Sequence, residues 1–558
     1  MNIDVDSQLL NRAYTWERQK PSDLFMTQPM GGSEVRLYTW EKTLDEARRM
    51  AAYLQSFGFP LGSSIALLSK NCAHFVMTDL AIWMAGYVSV ALYPTLQPQT
   101  VRYILEHSGA TLLLVGKLDD WDSMKAGVPD GLPMVSYPLS PPNDLPTWDD
   151  IVRTTDPIAG YPTRMPDETA LLVYTSGSTG VPKGVEHSFR SVAAAGQGFA
   201  SAFGITPDDR FLSYLPLAHV FERGAIEAVS LYVGAQMFFA ESLDTFAADV
   251  RRARPTVFHS VPRLWLKLHL GVLQKIPNRK LTRLLKLPIV RTLVCRRILA
   301  RLGLDCVTLA ISGSAPIPPE ILTWYARLGL DVLEGYGMSE NFAYSHASLR
   351  GKARVGYVGN ALPDVETKLG ESSEVLVKSP ASMKGYYKDP KLTSASYTVD
   401  GFFKTGDRGE IDEQGRLRIT GRVKEMFKTS KGKYISPAPI ENLLNADSHV
   451  EMSCVSGVGR SQAFAMVLLA EHHRMELRRG GDRAAVERAL QELLERINTK
   501  VEEHERLAFL AVVEDEWKIE NGFLTPTLKL KRSVVEDAYN TQAEHWYARR
   551  ASIVWQNA

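Results

Sequence analysis

Two hydrophobic patterns alternate along the first part of the chain. Continuous apolar runs such as residues 63–69 and 111–116 are typical of buried strands. An apolar face with helical spacing precedes the first of these runs, ends before Gly58 and comprises Leu44, Ala47, Met50, Ala51 and Leu54. Thr43 and Glu46 at its start predict a capping box. The alternation predicts an α/β fold with mainly parallel sheets layered with helices.

Other segments extend this pattern along the chain. Residues 80–94 predict a core helix followed by a buried strand, because the apolar run is too short to span a bilayer and ends in proline. Residues 118–166 are rich in Asp, Pro and Ser, which predicts surface connections. Further strands are predicted at 211–222 (with an exit turn), 235–240, 256–262, 306–316 and 330–340.

The last part of the chain shows a different pattern. Residues 410–412 and 416–419 predict a hairpin around the turn 412–415. An amphipathic helix follows, with an apolar face made of Val486, Leu490, Leu493, Leu494 and Ile497. A smaller domain is therefore expected after the α/β layers.

Composition narrows the class of protein. At 558 residues, the chain is long enough for two or more domains, and its net charge of +1 gives no global field that favours nucleic acid. The acidic N-terminus carries no apolar signal region. The scattered cysteines, Cys72, Cys295, Cys306 and Cys454, lack metal spacing and indicate a reducing compartment. A cytoplasmic location is expected.

One segment has an unusual charge distribution. Residues 264–304 contain no Asp or Glu, and their apolar residues interleave with Lys267, Lys275, Arg279, Lys280, Arg283, Lys286, Arg291, Arg296, Arg297 and Arg301. Such a segment suits peripheral contact with an anionic membrane, for example the inner face of a bilayer. A solvated basic face on helices that pack against the domain is the alternative interpretation.

The chemistry-bearing loop of the chain is residues 173–184, Val-Tyr-Thr-Ser-Gly-Ser-Thr-Gly-Val-Pro-Lys-Gly, directly after the buried run 170–173. Glycines let backbone N–H groups face an anion, hydroxyls add donors, and lysine adds a compact charge. A polyphosphate site is therefore predicted, although the spacing differs from that of a Walker A loop. A flexible Ser/Gly linker is the alternative. The candidate ligands are Thr175, Ser176, Gly177, Ser178, Thr179, Gly180 and Lys183.

This loop resembles the signature of the adenylate-forming (AMP-binding) superfamily. Segments 313–315, 335–340, 400–407, 421–425 and 521–532 resemble further motifs of that superfamily, in the same order. Segment 426–441, with its Lys-Gly-Lys turn, is most similar to the long-chain fatty acyl-CoA synthetases. The resemblance covers the chain from about residue 38 to residue 532.

The resemblance implies a nucleotide site. Tyr336 is expected to stack on adenine, Asp407 to accept both ribose hydroxyls and Arg422 to contact the nucleotide. Glu340 and Thr175 are the expected Mg²⁺ ligands and share the catalytic role with a lysine. The remaining ATP- or AMP-binding positions are Gly313, Ser314, Ala315, Gly335, Gly337 and Met338.

The catalytic lysine falls at Lys529 when the motif is aligned, with Lys531 as the alternative. Lys424 takes the hinge position, and the turn Ser430, Lys431 and Gly432 takes the CoA-binding position. His219 stands where the family has an acyl gate, but a histidine at a strand end is also compatible with ordinary packing.

The implied architecture is a large N-terminal domain (1–421), a hinge (422–424) and a small, mobile α+β domain (425–558). The implied reaction joins a long-chain fatty acid to ATP, giving acyl-AMP and pyrophosphate, and then to CoA. Transfer to a carrier protein, a luciferase or β-lactone synthetase activity, and an inactive membrane-binding protein remain alternatives. ATP, Mg²⁺ and CoA are the expected small molecules, and the sequence is compatible with a homodimer.

Overall fold

The computed structural model describes residues 3–176, 181–276, 278–525 and 529–557. The first elements confirm the predicted alternation of strands and helices. In chain order they are α1 (Leu9–Gln19), β1 (Leu24–Gly31), β2 (Glu34–Thr39), α2 (Trp40–Ser56), β3 (Ser64–Leu68), α3 (Ala73–Ala85), β4 (Val88–Leu92), α4 (Pro98–Ser108), β5 (Ala110–Val115), α5 (Trp121–Lys125), β6 (Met134–Ser136), α6 (Trp148–Thr154) and β7 (Thr169–Ser176).

The alternation continues through the middle of the chain, which includes one π-helical segment (Arg223–Ala228). The elements here are β8 (Pro182–Ser188), α7 (Phe189–Phe203), β9 (Arg210–Ser213), α8 (Val220–Glu222), α9 (Val229–Val233), β10 (Gln236–Phe239), α10 (Phe246–Ala253), β11 (Val257–Ser260), α11 (Pro262–Lys275), α12 (Asn278–Leu284), α13 (Pro288–Leu302), β12 (Leu309–Ser312), α14 (Pro319–Arg327) and β13 (Val332–Tyr336).

Short strands then close the large domain, and the small domain follows. These elements are β14 (His346–Ala347), β15 (Asn360–Ala361), β16 (Glu366–Leu369), β17 (Glu374–Lys378), β18 (Gly385–Tyr386), α15 (Pro390–Ala395), β19 (Phe403–Ile411), β20 (Leu417–Arg422), β21 (Phe427–Lys428), β22 (Tyr434–Ile435), α16 (Pro437–Asn445), β23 (Val450–Ser456), β24 (Ala463–Leu469), α17 (Glu471–Arg478), α18 (Arg483–Asn498), β25 (Leu507–Val513), α19 (Arg532–Ala548) and β26 (Ile553–Trp555).

Two large sheets form the centre of the N-terminal domain. Among the described residues, one is seven-stranded with order β18-β8-β7-β4-β3-β5-β6, and the other is nine-stranded with order β15-β14-β13-β12-β11-β9-β10-β1-β2. Their inner strands pair in parallel, and antiparallel strands lie at both edges of the nine-stranded sheet and at the β18 edge of the seven-stranded one. The expected α/β class of mixed, mainly parallel sheets is confirmed.

The C-terminal domain has its own mixed sheet, ordered β23-β24-β25-β26. Helix α18 packs its predicted apolar face into that domain's core, where Leu490, Leu493 and Ile497 are buried. The hairpin predicted around residues 412–415 is present as β19 and β20, which precede this domain. The small α+β domain is therefore confirmed as a separate core.

The start of α2 differs from the prediction. The helix begins at Trp40, and Thr39 Oγ1 caps it by accepting a hydrogen bond from Lys42 N at 3.2 Å. Trp40 stacks on Phe25 with ring centroids 3.7 Å apart, so core packing draws the residues before Thr43 into the helix. Glu46 instead accepts from Trp148 Nε1 at 2.9 Å. The predicted capping box at Thr43 and Glu46 is wrong.

The predicted core helix is confirmed as α3, in which every residue is buried. The connection expected at residues 118–166 is more structured than predicted, since it contains α5, β6 and α6. Trp121 and Trp148 of this segment are buried at 4% and 0% exposure. Because these two indoles are buried, the segment that was predicted as a surface connection contributes to the core.

Candidate active site

The predicted phosphate loop is the turn of a β-hairpin. Strands β7 and β8 pair in antiparallel fashion, with Thr175 opposite Lys183 and Tyr174 opposite Gly184. The next helix, α7, begins only at Phe189, after β8. A Walker A loop leads from a strand directly into a helix, so this topology agrees with the different spacing in the sequence.

Part of this loop lies outside the described residues. Gly177, Ser178, Thr179 and Gly180 fall there, and Ser176 is described only as the last residue of β7. Their predicted role in phosphate binding therefore stays a prediction. The hairpin nevertheless fixes both ends of the loop, at Thr175 and Lys183.

A tyrosine links the lysine of this hairpin to the predicted metal ligand. Lys183 Nζ lies 5.6 Å from the ring centroid of Tyr386, and the Tyr386 hydroxyl donates to Glu340 Oε1 at 2.7 Å. Tyr386 reaches this point because β18 pairs with β8. Burial, and then the Glu340 carboxylate, raise the pKa of Tyr386, so its hydroxyl stays a donor. Sequence reasoning missed Tyr386, whose two-residue strand has no periodicity.

The predicted ribose acceptor lies at the centre of a second group. Asp407 is 6% exposed, accepts from the Tyr336 hydroxyl at 2.7 Å and pairs with Arg422 Nε at 2.9 Å. Asp407 and Arg422 are cross-strand partners in β19 and β20. Burial and the neighbouring carboxylate raise the pKa of Tyr336 well above its usual value. Both carboxylate oxygens therefore have a protein partner, and each keeps lone-pair capacity for a ligand.

Lys529 faces this second group from the small domain. Its side chain is exposed, but desolvation by the protein around it lowers its pKa first, the positive charge of Arg422 lowers it further, and Asp407 and Glu340 oppose that effect. Burial together with the charge of Lys529 lowers the pKa of His219 to about 3. These electrostatic couplings indicate that the Lys529 ammonium, from the small domain, lies near Asp407, Glu340 and His219 of the large domain, in the cleft between the two.

Lys531, the alternative lysine, has a different position. It is the residue before the first turn of α19, and its N–H donates to the carbonyl of Phe523 at 2.8 Å. Lys529 precedes it in a short loop, where its N–H donates to Thr525 Oγ1 at 3.0 Å. The charges of Arg422, Asp407 and Glu340 act on Lys529. The assignment of the catalytic role to Lys529 rather than Lys531 stays a prediction.

An arginine anchors the segment that carries Lys529. Arg532 Nη2 donates to both oxygens of Glu441, at 2.7 and 2.8 Å, and Nη1 donates to the carbonyl of Val455 at 2.8 Å. Its Nε also lies 3.8 Å from Glu425, next to the predicted hinge. Bidentate arginine–carboxylate pairs fix orientation as well as distance. Arg532 was quoted in the motif but assigned no role from the sequence.

The glycines of the two small-residue segments, Gly313, Gly335 and Gly337, differ in how closely neighbouring atoms pack against them. A Cβ atom added at Gly337 would lie 2.3 Å from the Ala343 carbonyl oxygen, so backbone packing already requires glycine there. A Cβ at Gly335 would make only ordinary van der Waals contacts, the nearest at 3.8 Å with Ile311, so packing does not require glycine there. A Cβ at Gly313 would lie 3.0 Å from Phe221 Cζ. Gly313 therefore lets that ring approach the end of β12.

The other predicted positions in these turns are also placed. Ser314 has φ of +69°, and Ala315 is exposed at the same turn after β12. Met338 donates its N–H to Asn341 Oδ1 at 3.0 Å and packs partly buried against the main core. These turns follow the carboxyl ends of β12 and β13, the edge of a parallel sheet where ligands usually bind.

The remaining predicted residues lie on loops. His219 precedes α8 and accepts at Nδ1 from Phe221 N at 3.1 Å. Lys424 lies exposed in a 3₁₀ turn at Val423–Glu425. The predicted CoA-binding residues are exposed at the turn between β21 and β22, where Ser430 N donates to Arg460 O at 2.9 Å. In this structure the turn contacts its own domain and is separate from the residues around Lys529.

Comparison with known proteins decides the family. Residues 14–387 match the family described as AMP-binding enzyme, and residues 425–551 match the AMP-binding enzyme C-terminal domain. The chain belongs to the AMP-binding enzyme family. The resemblance to the adenylate-forming superfamily is thereby confirmed.

Curated relatives of this AMP-binding enzyme include synthetases of long-chain acids. Long-chain-fatty-acid–CoA ligase FadD15 of Mycobacterium bovis is 28% identical over 91% of this chain and 92% of the relative. The peroxisomal long chain acyl-CoA synthetase 6 of Arabidopsis thaliana is 29% identical over 88% of this chain and 78% of the relative.

Solved structures agree with the fold of this AMP-binding enzyme. An anthranilate CoA ligase in complex with anthranoyl-AMP matches with a TM-score of 0.79 at 20% identity, over 97% of this chain and 99% of that chain. The adenylation domain of a Mycobacterium chelonae carboxylate reductase matches with a TM-score of 0.81 at 22% identity, over 97% and 91%. At these identities the likeness concerns the fold alone.

Proposed function

We propose that this AMP-binding enzyme activates a long-chain fatty acid with ATP and then transfers the acyl group to CoA. The observation that carries the proposal is the buried Asp407, held by Tyr336 and Arg422, together with the charges of Arg422, Asp407 and Glu340 that act on Lys529. An enzyme that activates an acid with ATP needs positive charge where the substrate carboxylate meets the α-phosphate. Lys529 and Arg422 would supply that charge, near the carboxylates of Asp407 and Glu340. The curated long-chain relatives support the substrate class.

In the first half-reaction, a carboxylate oxygen of the fatty acid attacks the α-phosphorus of ATP. The bond from that phosphorus to the bridging oxygen breaks, and pyrophosphate leaves with the electron pair. Little covalent chemistry is asked of the protein, so positioning and charge stabilisation dominate. We assign Lys529 to the α-phosphate and the carboxylate, Asp407 to the ribose, and the Thr175–Lys183 hairpin to the outer phosphates.

The residues present also fit a magnesium ion. Glu340 is a hard oxygen donor whose Oε1 is oriented by the Tyr386 hydroxyl, and Thr175 offers a hydroxyl on the neighbouring hairpin. Mg²⁺ prefers such oxygen ligands together with substrate phosphates. When bound, it would neutralise charge that develops on the phosphates.

In the second half-reaction, the CoA thiol attacks the acyl carbonyl and AMP leaves. We propose that the small domain (425–558) rotates about residues 422–424 between the two halves, which withdraws Lys529 and brings Ser430, Lys431 and Gly432 to the CoA channel. Such a rotation would break an ion pair between the domains, in which Arg263 of α11 lies 2.5 Å from Glu451 of β23.

The deciding experiment is pyrophosphate release with ATP, Mg²⁺ and saturated acids from acetate to stearate, with and without CoA. We expect a maximum at long chains, and AMP and acyl-CoA that form only when CoA is present. Acid-dependent pyrophosphate release without CoA-dependent turnover would move the acceptor to a carrier protein or another nucleophile. Absence of release with every acid would overturn the proposal.

We also propose that the basic segment 264–304 contacts an anionic bilayer from which the acid is taken. Its helices pack inward through Trp265, Leu281 and Ile298, which are buried. Outward they expose Leu287 (54%) and Leu293 (66%) among cations. The exposed cations are Arg283, Lys286, Arg291, Arg296, Arg297 and Arg301. Within the described residues, no helix is long and apolar enough to cross a membrane.

Flotation on vesicles tests this contact. Replacing Arg283, Lys286, Arg296 and Arg297 with glutamate should abolish flotation on phosphatidylserine-containing vesicles, because each basic residue near an anionic surface contributes about 1 kcal/mol. Phosphatidylcholine vesicles should bind neither protein. Unchanged flotation of the reversed protein would refute the contact.

A matched control reverses four exposed lysines elsewhere, so that net charge changes equally. Suitable positions are Lys125, Lys352, Lys391 and Lys500. Loss of flotation in both variants would indicate that overall charge, and not this surface, drives binding. Oligomeric state, including a homodimer, is to be read from light scattering of the same preparations.

A further inference from the structure

The loop at residues 214–222, here called the gate loop, ends in a buried carboxylate. Glu222 is 0% exposed. Its Oε1 accepts from Ser213 Oγ at 2.8 Å, Tyr214 N at 3.0 Å and Asn71 Nδ2 at 3.1 Å. Its Oε2 lies 2.6 Å from His259 Nε2. One side chain thus holds both ends of the gate loop together.

These partners come from both large sheets. Asn71 follows β3 of the seven-stranded sheet, whereas Ser213 and His259 lie in β9 and β11 of the nine-stranded sheet. Asn71 also donates to Leu215 O at 2.6 Å and accepts from Leu217 N at 3.0 Å. The gate loop is therefore fastened where the two sheets present their carboxyl ends.

Arg223, the residue after Glu222, is held by a second group of buried charges. Arg223 is 1% exposed and pairs with buried Asp79 of α3 and, at 3.1 Å, with Glu227. It opens the π-helical segment, a geometry that occurs frequently at functional sites. Burying a charge costs free energy unless the charge is paired. Because Glu222 and Arg223 are both buried and each has fixed partners, together they restrict the position of the gate loop.

The gate loop carries two side chains toward the reaction centre. His219 lies close enough to Lys529 for that charge to lower its pKa. Phe221 packs edge-on against His259, with ring centroids 4.9 Å apart, and its ring reaches the space beside Gly313. A displacement of Glu222 or His259 would therefore move both side chains.

We propose that Glu222 and His259 are positioning residues that set the binding of the acyl substrate by fixing the gate loop. They touch neither the nucleotide group at Asp407 nor Lys529 itself. Their effect should therefore fall on the carboxylic acid rather than on ATP. This inference rests on the proposed acid activation, but not on the identity of the acceptor.

The first test is Glu222→Gln, which keeps size and removes charge. We expect KM for a long-chain acid to rise about 10-fold, because a charge-assisted hydrogen bond is replaced by a weaker neutral one. KM for ATP should stay within about twofold, since no contact of Glu222 faces the nucleotide group. A short acid such as butyrate should be affected less, because it has little acyl chain for the gate loop to contact.

Two further variants distinguish a positioning role from a general loss of stability. Ser213→Ala removes only one hydrogen bond to Oε1 and should raise the same KM about two- to threefold. His259→Gln should resemble Glu222→Gln, and the double variant should be no worse than either single one, because the two act as a pair. Glu46→Gln is the matched control, since that carboxylate accepts from Trp148 Nε1, outside the hydrogen-bond group of Glu222.

Pyrophosphate release is the readout throughout, so the result does not depend on CoA transfer. If the wild-type protein prefers another acid, that acid replaces the long-chain one and only the proposed substrate class fails. The positioning role is overturned if KM for the preferred acid is unchanged in Glu222→Gln. It is overturned as well if KM for ATP and for acid rise equally alongside a lower unfolding temperature.

Discussion

Lys529→Ala is expected to slow acyl-AMP formation by about 10²- to 10³-fold, the range seen when one group that stabilises transition-state charge is removed. Lys529 brings positive charge to a cleft that also holds Arg422, Asp407 and Glu340. In the first half-reaction, negative charge moves from carboxylate and α-phosphate onto pyrophosphate, so this ammonium is placed where charge changes. Thioester formation from supplied acyl-AMP should stay within about threefold, because we propose that the lysine is withdrawn for that step.

The two half-reactions are to be measured separately, as pyrophosphate release and as CoA-dependent consumption of synthetic acyl-AMP. Lys531→Ala is the matched control, because it removes the same charge two residues away, at the start of α19. That variant should keep nearly full adenylation. Equal loss of both half-reactions in Lys529→Ala would contradict the two-orientation scheme, and a larger loss in Lys531→Ala would reassign the catalytic lysine.

The sequence predicted those parts of the fold that local patterns determine. The strands around residues 63–69 and 111–116 and the buried helix α3 were predicted from continuous apolar runs, and the apolar face of α18 was predicted from helical periodicity. Trp40 shows the limit, because its stacking on Phe25 moves the start of α2 ahead of the predicted cap at Thr43. Tertiary packing outweighed a local capping signal that is worth about 1 kcal/mol.

The candidate site was predictable only where residues cluster in motifs. Glu340 and Lys183 are far apart in sequence, and the contact through Tyr386 exists because β18 adds to the edge strand β8. No periodicity marks a two-residue strand, so Tyr386 had no sequence signal. Glu222 is the last residue of the predicted segment 211–222 and received no role from the sequence, because its partners Asn71 and His259 become neighbours only through the arrangement of two sheets.

Asp407→Asn is expected to raise KM for ATP by about 10²-fold. Two hydrogen bonds from ribose hydroxyls to a charged acceptor contribute about 1.5 kcal/mol each, and their sum of roughly 3 kcal/mol corresponds to that factor. In the structure, Tyr336 and Arg422 already hold the two carboxylate oxygens. Arg422 keeps 57% of its side chain exposed, so it can turn toward the nucleotide when a ribose takes its place beside Asp407.

Nucleotides that lack one hydroxyl distinguish ribose recognition from a general defect. The wild-type protein should prefer ATP over 2′-deoxy-ATP and 3′-deoxy-ATP, each by about tenfold, and Asp407→Asn should lose that preference. Asp412→Asn is the matched control, because this carboxylate pairs with Arg354 and Arg416 at the turn of the same hairpin. If Asp407→Asn weakened all three nucleotides equally and lowered the unfolding temperature more than Asp412→Asn, the carboxylate would hold the hairpin together and would not read the ribose.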